Sequence, residues 1–280
     1  MKLLQNVPAI TKAIIVAGML GACQNEKDAV VAPISEQAEK TDNLKTNVAY
    51  FYKRLLGDGA TNLNYSGPNK LISYESVTGS GIHTDYDYKN ANIIYARTRK
   101  SSNYELIETS AYKLNSEGKC TESHHVKSGT TEIYMYKYNP DGRLEKVYKE
   151  SNPNLRQEFA YVNNGSGKFN LNTINSYDSK GQLIKQTTYT YYNNEEDISK
   201  INPTLMVFGR AKYLPIFGSF NFNSIKSVNE TNYINQAASS TSSREFSYTW
   251  NDDTWTQNVV EKSSIGVNSF KRKYGKLGIL

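Results

Sequence analysis

Cysteine is nearly absent from this 280-residue chain, which carries only Cys23 and Cys120. Two cysteines exclude a disulfide-rich framework, so the fold has to be held by its core and its hydrogen bonds. Histidine is almost as rare, limited to His83, His124 and His125. Neighbours on a strand point to opposite faces, so His124 and His125 cannot grip one metal ion together. No metal site and no cofactor are expected. The chain has no Gly-x-Ser-x-Gly elbow, no phosphate-binding Gly-rich loop ending in Lys-Ser/Thr, no Gly-x-Gly-x-x-Gly and no His-Glu-x-x-His. The familiar hydrolase, nucleotide and zinc-protease chemistries therefore have no signature here, and no catalytic residue is assigned. No apolar run reaches the roughly 20 residues of a membrane-spanning helix. The balance of 33 Lys and Arg against 27 Asp and Glu gives a mild net charge of +6. Apart from Lys271-Arg272-Lys273 the cations are scattered, which suits solubility and not a nucleic-acid groove.

What is present begins at the N-terminus. Lys2 and Lys12 precede an apolar stretch from Ala13 to Ala22, too short to span a bilayer and typical of a secretory signal. Leu20-Gly21-Ala22-Cys23 resembles the bacterial lipobox. That resemblance implies a diacylglycerol on Cys23 and removal of residues 1–22, which takes away two lysines and no acid and leaves a charge of +4. Two or more acyl chains hold a protein stably on a membrane without a span. Gln24-Asn25-Glu26-Lys27-Asp28 lacks the aspartate that retains enterobacterial lipoproteins at the inner membrane, and it is similar to short signals that carry lipoproteins of the Bacteroidota to the cell surface. The expected location is the outer membrane, at its periplasmic face or at the cell surface. Residues 23–46, rich in Ala, Glu, Lys, Asp and Thr, read as a flexible tether. With Cys23 acylated, Cys120 stands alone and is expected to be a half-buried strand residue.

Residues 47–280 form the expected folded domain. From about Asn69 onward, short runs of Tyr, Ile, Val and Thr are broken every ten or so residues by Gly, Asn, Asp and Ser, the pattern of strands and hairpins. The clearest hairpin joins Thr131–Tyr138 to Arg143–Tyr148 through Asn139-Pro140-Asp141-Gly142. Pro140 presets φ, and Gly142 supplies the left-handed residue of a bulged type I turn. Tyr112–Cys120 and Tyr177–Leu183 repeat the unit, and Tyr161–Gly165 is a looser copy. About a dozen or more such strands imply an all-β fold, an antiparallel meander forming a soluble barrel-like or strongly curved sheet. Alternation along Arg143–Glu150 puts Leu144, Lys146, Tyr148 and Glu150 on one face and Arg143, Glu145, Val147 and Lys149 on the other, and neither face suits lipid. Asn202–Gly218 interrupts the rhythm with an apolar stretch. Asn202 before Pro203 reads as an N-cap for a two-turn helix over Thr204–Ala211, and residues 203–217 as a short helical, apolar plug closing one end. Val48–Leu56 fits a short helix or an extra strand equally well.

Tyr136–Leu144, with the spacing Tyr-x-Tyr-x-x-x-Gly-Arg-Leu, resembles the YD repeat of Rhs and teneurin shells. The lipobox, these hairpin units, Glu196-Asp197-Ile198 leading into the Asn-Pro-apolar interval, and the return from Phe217-Gly218-Ser219 to Ser224-Ile225-Lys226 together resemble an uncharacterised family of Bacteroidota lipoproteins with a porin-like β fold. The likeness spans residues 69–276. It implies a barrel-like antiparallel domain and supplies no activity and no catalytic residues.

Tyrosine is abundant at 22 residues. Most of it suits cross-strand packing with the hydroxyl reaching water. Tyr134, Tyr136 and Tyr138 share one strand face, and with Trp250 and Trp255 they are the candidate stacking platforms for a ligand. Asp85 and Asp87 also share a face, and Asp252-Asp253 lie between the two tryptophans. Paired carboxylates near aromatics suit a glycosidase, and solvated turn and edge positions suit the same residues better. The expected function is that of a non-enzymatic, lipid-anchored envelope protein that scaffolds or binds another envelope protein. The alternative is a surface glycan-binding lipoprotein, and an enzyme acting on polysaccharide ranks last.

Overall fold

The computed structural model describes residues 53–66, 71–165, 167–207 and 211–276. The expected signal peptide, Cys23, the expected tether and residues 47–52 lie outside that set. Sixteen strands follow one another: β1 Lys53–Asp58, β2 Thr61–Asn64, β3 Tyr74–Val77, β4 Ile82–Asn90, β5 Ile93–Lys100, β6 Leu106–Leu114, β7 Cys120–Lys127 and β8 Thr130–Tyr138. The second half comprises β9 Leu144–Lys149, β10 Asn152–Asn163, β11 Phe169–Tyr177, β12 Leu183–Glu196, β13 Asn223–Ile234, β14 Ala237–Asn251, β15 Thr256–Ser263 and β16 Gly266–Lys276. Each pairs antiparallel with its sequence neighbour, and β1 closes onto β16, so the meander is a complete barrel. Of the two possibilities for residues 48–56, the described part, from Lys53 on, is strand.

The hairpin turns carry the register. Asn139 N–H donates to the Arg143 carbonyl at 2.9 Å, Gly142 N–H to the Asn139 carbonyl at 2.9 Å, and Arg143 N–H to Asn139 Oδ1 at 2.9 Å. Asn115 with Lys119, and Asp178 with Gln182, repeat the arrangement, with φ of 73° at Gly118, 74° at Gly142 and 79° at Gly181. Glycine adopts these angles without the Cβ penalty that other residues carry. The looser copy keeps the same loop length: Asn164 N–H donates to the Lys168 carbonyl, with Gly167 in the fourth place at 72°.

The same bulged turn corrects one expectation. Register shifts between Lys137 and Tyr138, so Leu144 and Val147 both face inward with Lys149, while Lys146 and Tyr148 face outward opposite Lys137 and Met135. Simple alternation from Arg143 had placed Leu144 with Lys146 and Tyr148. A bulge inserts one residue, and every side chain beyond it changes face.

A barrel of sixteen strands encloses more space than wall side chains fill. Here the segment between β12 and β13 turns inward. Ala211, Tyr213, Leu214, Ile216, Phe217 and Phe220 join the buried core. The Ile216 carbonyl accepts from Cys120 N–H at 2.8 Å, the Phe220 carbonyl from Leu171 N–H at 2.8 Å, and Phe217 packs against the rings of Tyr136 at 5.2 Å and Tyr112 at 6.3 Å. The apolar plug is therefore present. The helix is not: residues 203–207 and 211–217 form no helix, and 208–210 lie outside the described residues. Asn202 does not cap a helix; its Nδ2 donates to the carbonyls of Ala211 at 2.6 Å and Leu214 at 2.8 Å, closing the segment into a compact loop. Cys120 is fully buried at the plug, not half-buried.

Phe217→Ala removes the ring that wedges the plug between β6 and β8. We expect it to cost about 3–5 kcal/mol in urea unfolding and to make the Cys120 thiol, inert in the parent, react with a thiol reagent before the global transition.

Candidate functional site

Inward-facing side chains change character along the barrel. At the plug end they are apolar or aromatic: Tyr112, Tyr136, Leu144, Phe159 and Leu171 are all buried. Half-way along they are polar. Ser110 Oγ lies 2.8 Å from His125 Nδ1, Ser123 Oγ 2.7 Å from His125 Nε2, and Ser123 Oγ 2.8 Å from the Tyr136 hydroxyl. At the opposite end they are charged and reached by solvent. Lys149 pairs with Glu132 at 2.7 Å, Lys127 with Glu108 at 3.9 Å, Lys185 with Glu230 at 3.0 Å, and Arg244 with Glu230 at 3.4 Å and Glu261 at 3.5 Å. The charged end is a vestibule: a mouth belted by ion pairs over a hydroxyl and imidazole layer, with the buried apolar residues of plug and wall beneath.

The middle layer resembles a nucleophile and base only in its distances. Ser123 is completely buried and His125 nearly so, which leaves no room for a substrate carbonyl beside the hydroxyl. Burial pushes the His125 pKa down to about 4, against the opposing pull of Glu132. The imidazole is therefore neutral and serves as a two-ended hydrogen-bonding link. Glu132 itself is held below the usual carboxylate range: burial works to raise it, and hydrogen bonds from Lys149 and Tyr134 outweigh that effect.

A second buried charge ties the plug to the seam where the barrel closes. Asp58 on β1 accepts from Lys212 Nζ at 2.6 Å and the Tyr213 hydroxyl at 2.9 Å on the plug, and from Arg272 Nε at 3.1 Å on β16. Burial alone would raise its pKa, yet Lys212 and then Arg272 bring it below the ordinary value. Between plug and wall, a cavity of about 100 Å³ lined by Asp197, Ser199, Asn202, Asn221, Tyr248 and Arg272 has room for a few waters.

The expected ligand platforms take other positions. Tyr134, Tyr136 and Tyr138 do share a face, but it is the inner one. Phe217 lies on Tyr136, the Tyr134 hydroxyl donates to Glu132 at 2.7 Å, and the Tyr138 hydroxyl donates to the Cys120 carbonyl at 2.8 Å. An aromatic face already packed offers nothing to stack on. Trp250 and Trp255 are both half-buried at the plug end. Trp250 sits 5.1 Å from the Tyr274 ring and its Nε1–H donates to Asp252, while the Trp255 carbonyl accepts from Tyr274 N–H. His124 faces outward to Glu122 at 2.6 Å, on the opposite face from His125. Asp85 and Asp87 face outward against Arg99 at 3.8 Å and Arg97 at 3.3 Å.

Those pairs belong to a charged outer wall that includes Lys113 with Glu122 at 3.5 Å and Arg156 with Glu158 at 2.7 Å. In hydrocarbon each such Lys or Arg near the midplane would cost about 2–4 kcal/mol. Charge of this density does not suit a hydrocarbon-facing wall.

No family model and no curated protein matches this chain. Among solved structures it is similar to a porin-like protein from Bacteroides uniformis, at 16% identity over 81% of this chain and 96% of that one, with a TM-score of 0.46. A porin-like protein from Bacteroides vulgatus is similar at 13% identity over 82% and 99%, with a TM-score of 0.49.

His125 makes stability depend on pH. Its folded pKa of about 4 lies below the unfolded value of 6.5, so between those limits the unfolded chain binds more protons and stability falls as pH drops. The melting-temperature difference between the parent and His125→Gln should be flat above pH 6.5 and shrink as pH is lowered toward 4; an unchanging difference would contradict a neutral His125.

Proposed function

We propose that this protein is a lipid-anchored, non-enzymatic component of the bacterial cell envelope whose barrel holds a polar partner or ligand at its open mouth. The observation that carries this reading is the contrast between the two ends. One end of the barrel is packed with the buried apolar plug, which argues against a conducting pore, and the opposite end exposes a belt of paired charges. Absence of chemistry is supported by the same geometry: Ser123 and His125 are sealed, and Asp85 and Asp87 each face an arginine. An outer wall of ion pairs supports a barrel that stands in water beside the membrane instead of crossing it.

Two experiments test the reading. Cys23→Ala should abolish incorporation of labelled fatty acid and move the protein from the membrane to the soluble fraction; retention at the membrane without label would contradict a lipid anchor. In the Cys23→Ala background Cys120 is the remaining thiol and it is buried. Thr130→Cys then places a fluorophore inside the mouth, and Thr131→Cys places one on the outer wall of the same strand. Envelope extracts should change the fluorescence of the Thr130 label saturably and leave the Thr131 label unchanged. Equal responses, or none, would remove the vestibule as a binding site.

A further inference from the structure

The outer wall carries a patch that neither plug nor vestibule uses. His83 faces outward on β4 yet is buried, because Tyr74 stacks on its ring at 5.4 Å and Tyr104 meets it edge-on at 5.7 Å. Tyr104 itself is 69% exposed, and Leu106 beside it 50%. Its φ is 57°, in the left-handed region where turn chemistry favours Gly or Asn. The loop holds it there. Lys100 N–H donates to the Glu105 carbonyl and Tyr104 N–H to the Lys100 carbonyl, both at 2.9 Å, and Arg99 reaches the Tyr104 carbonyl at 3.5 Å. Tyr104 packs one edge on His83, yet it is kept in a costly conformation and shows most of its ring to solvent. Strain of this kind collects where ligands are held.

Polar groups complete the patch. Asp85 lies opposite Tyr74 on β3 and Arg97 on β5. Its Oδ2 is 3.6 Å from His83 Nε2 and 3.8 Å from Arg99 Nε, both beyond hydrogen-bond length. Among the described residues no hydrogen bond is made to its Oδ1. An exposed aromatic ring and a carboxylate with acceptor capacity to spare thus both adjoin His83, with the Arg99 guanidinium reaching toward each and Arg97, paired to Asp87, opposite Asp85 on β5.

We propose that this patch is a binding subsite for a neutral pyranose residue, the apolar face of the sugar on Tyr104 and adjacent hydroxyls bridging Asp85 and Arg99. An anionic ligand would meet Asp85 and a cationic one the two arginines, whereas a vicinal diol needs both an acceptor and a donor. The site lies outside the lumen, so it stands or falls independently of the vestibule.

The test is saturation-transfer NMR on the Cys23→Ala chain with the methyl glycosides of glucose, galactose, mannose and N-acetylglucosamine, alongside melting temperatures. At least one glycoside should bind saturably. Tyr104→Asn and Asp85→Asn should each weaken it about tenfold or more, and Tyr177→Ala, elsewhere on the outer wall, should not. Because Asn tolerates the left-handed conformation, Tyr104→Asn should melt at or above the parent temperature. Three results would each overturn the proposal: no transfer from any of the four glycosides, binding that survives Tyr104→Asn, or a Tyr104→Asn melting temperature below the parent, which would make Tyr104 a packing residue.

Discussion

Sixteen strands closed on themselves leave an interior wider than two layers of side chains can fill, and the architecture here follows from how that space is used. Eight-stranded barrels fill themselves with wall residues. This one uses a length of its own chain, returned from β12 into the lumen and hydrogen-bonded to the starts of β7 and β11. Where that segment reaches, wall positions are tyrosine, leucine, valine and phenylalanine. Beyond its reach the same strands carry glutamate, lysine and arginine. The change from apolar to charged along β8, from Tyr136 to Glu132, marks the depth at which packing gives way to water.

Paired charges suit that boundary. A lone carboxylate half-way into a lumen would be penalised by partial desolvation, whereas one opposite a lysine on the neighbouring strand keeps its charge and holds the two strands in register. Glu132 with Lys149 on β8 and β9, and Glu230 with both Lys185 and Arg244 on β12 to β14, do this on separate stretches of wall. The neutral His125 below them is the transitional element. It accepts burial because it has two hydroxyl neighbours to satisfy it.

Much of the fold was legible in the chain because turns announce themselves chemically. Asn139-Pro140-Asp141-Gly142 dictates a loop length, and a loop length dictates a register, so the meander could be read from local signals, while its closure of β1 onto β16, open between a barrel and a curved sheet, could not. The plug was legible as an apolar interruption. Its internal form was not, since Asn202 before Pro203 is an equally good start for a helix and for a loop closed by its own side chain. The inward direction of the Tyr134, Tyr136 and Tyr138 row was hidden for a related reason. A row of tyrosines at alternate positions has the same appearance whether it faces solvent or a plug contributed from elsewhere in the chain. The Asp58 cluster joins residues more than 150 positions apart, and no local pattern marks such a contact. Tyr104 could have been noticed, as a tyrosine where a five-residue loop wants glycine or asparagine.

The Asp58 cluster also says something about assembly. Its acid comes from the first strand, its lysine and tyrosine from the plug, and its arginine from the last strand. During synthesis the acid emerges early, and both its cationic partners wait for later chain. Until β16 arrives the seam is open, and the plug lacks one of the walls it rests on. Contacts of such sequence separation form late and slowly. The buried ion cluster is therefore a record of completion: its groups come together only in a chain that has been made and closed to the end.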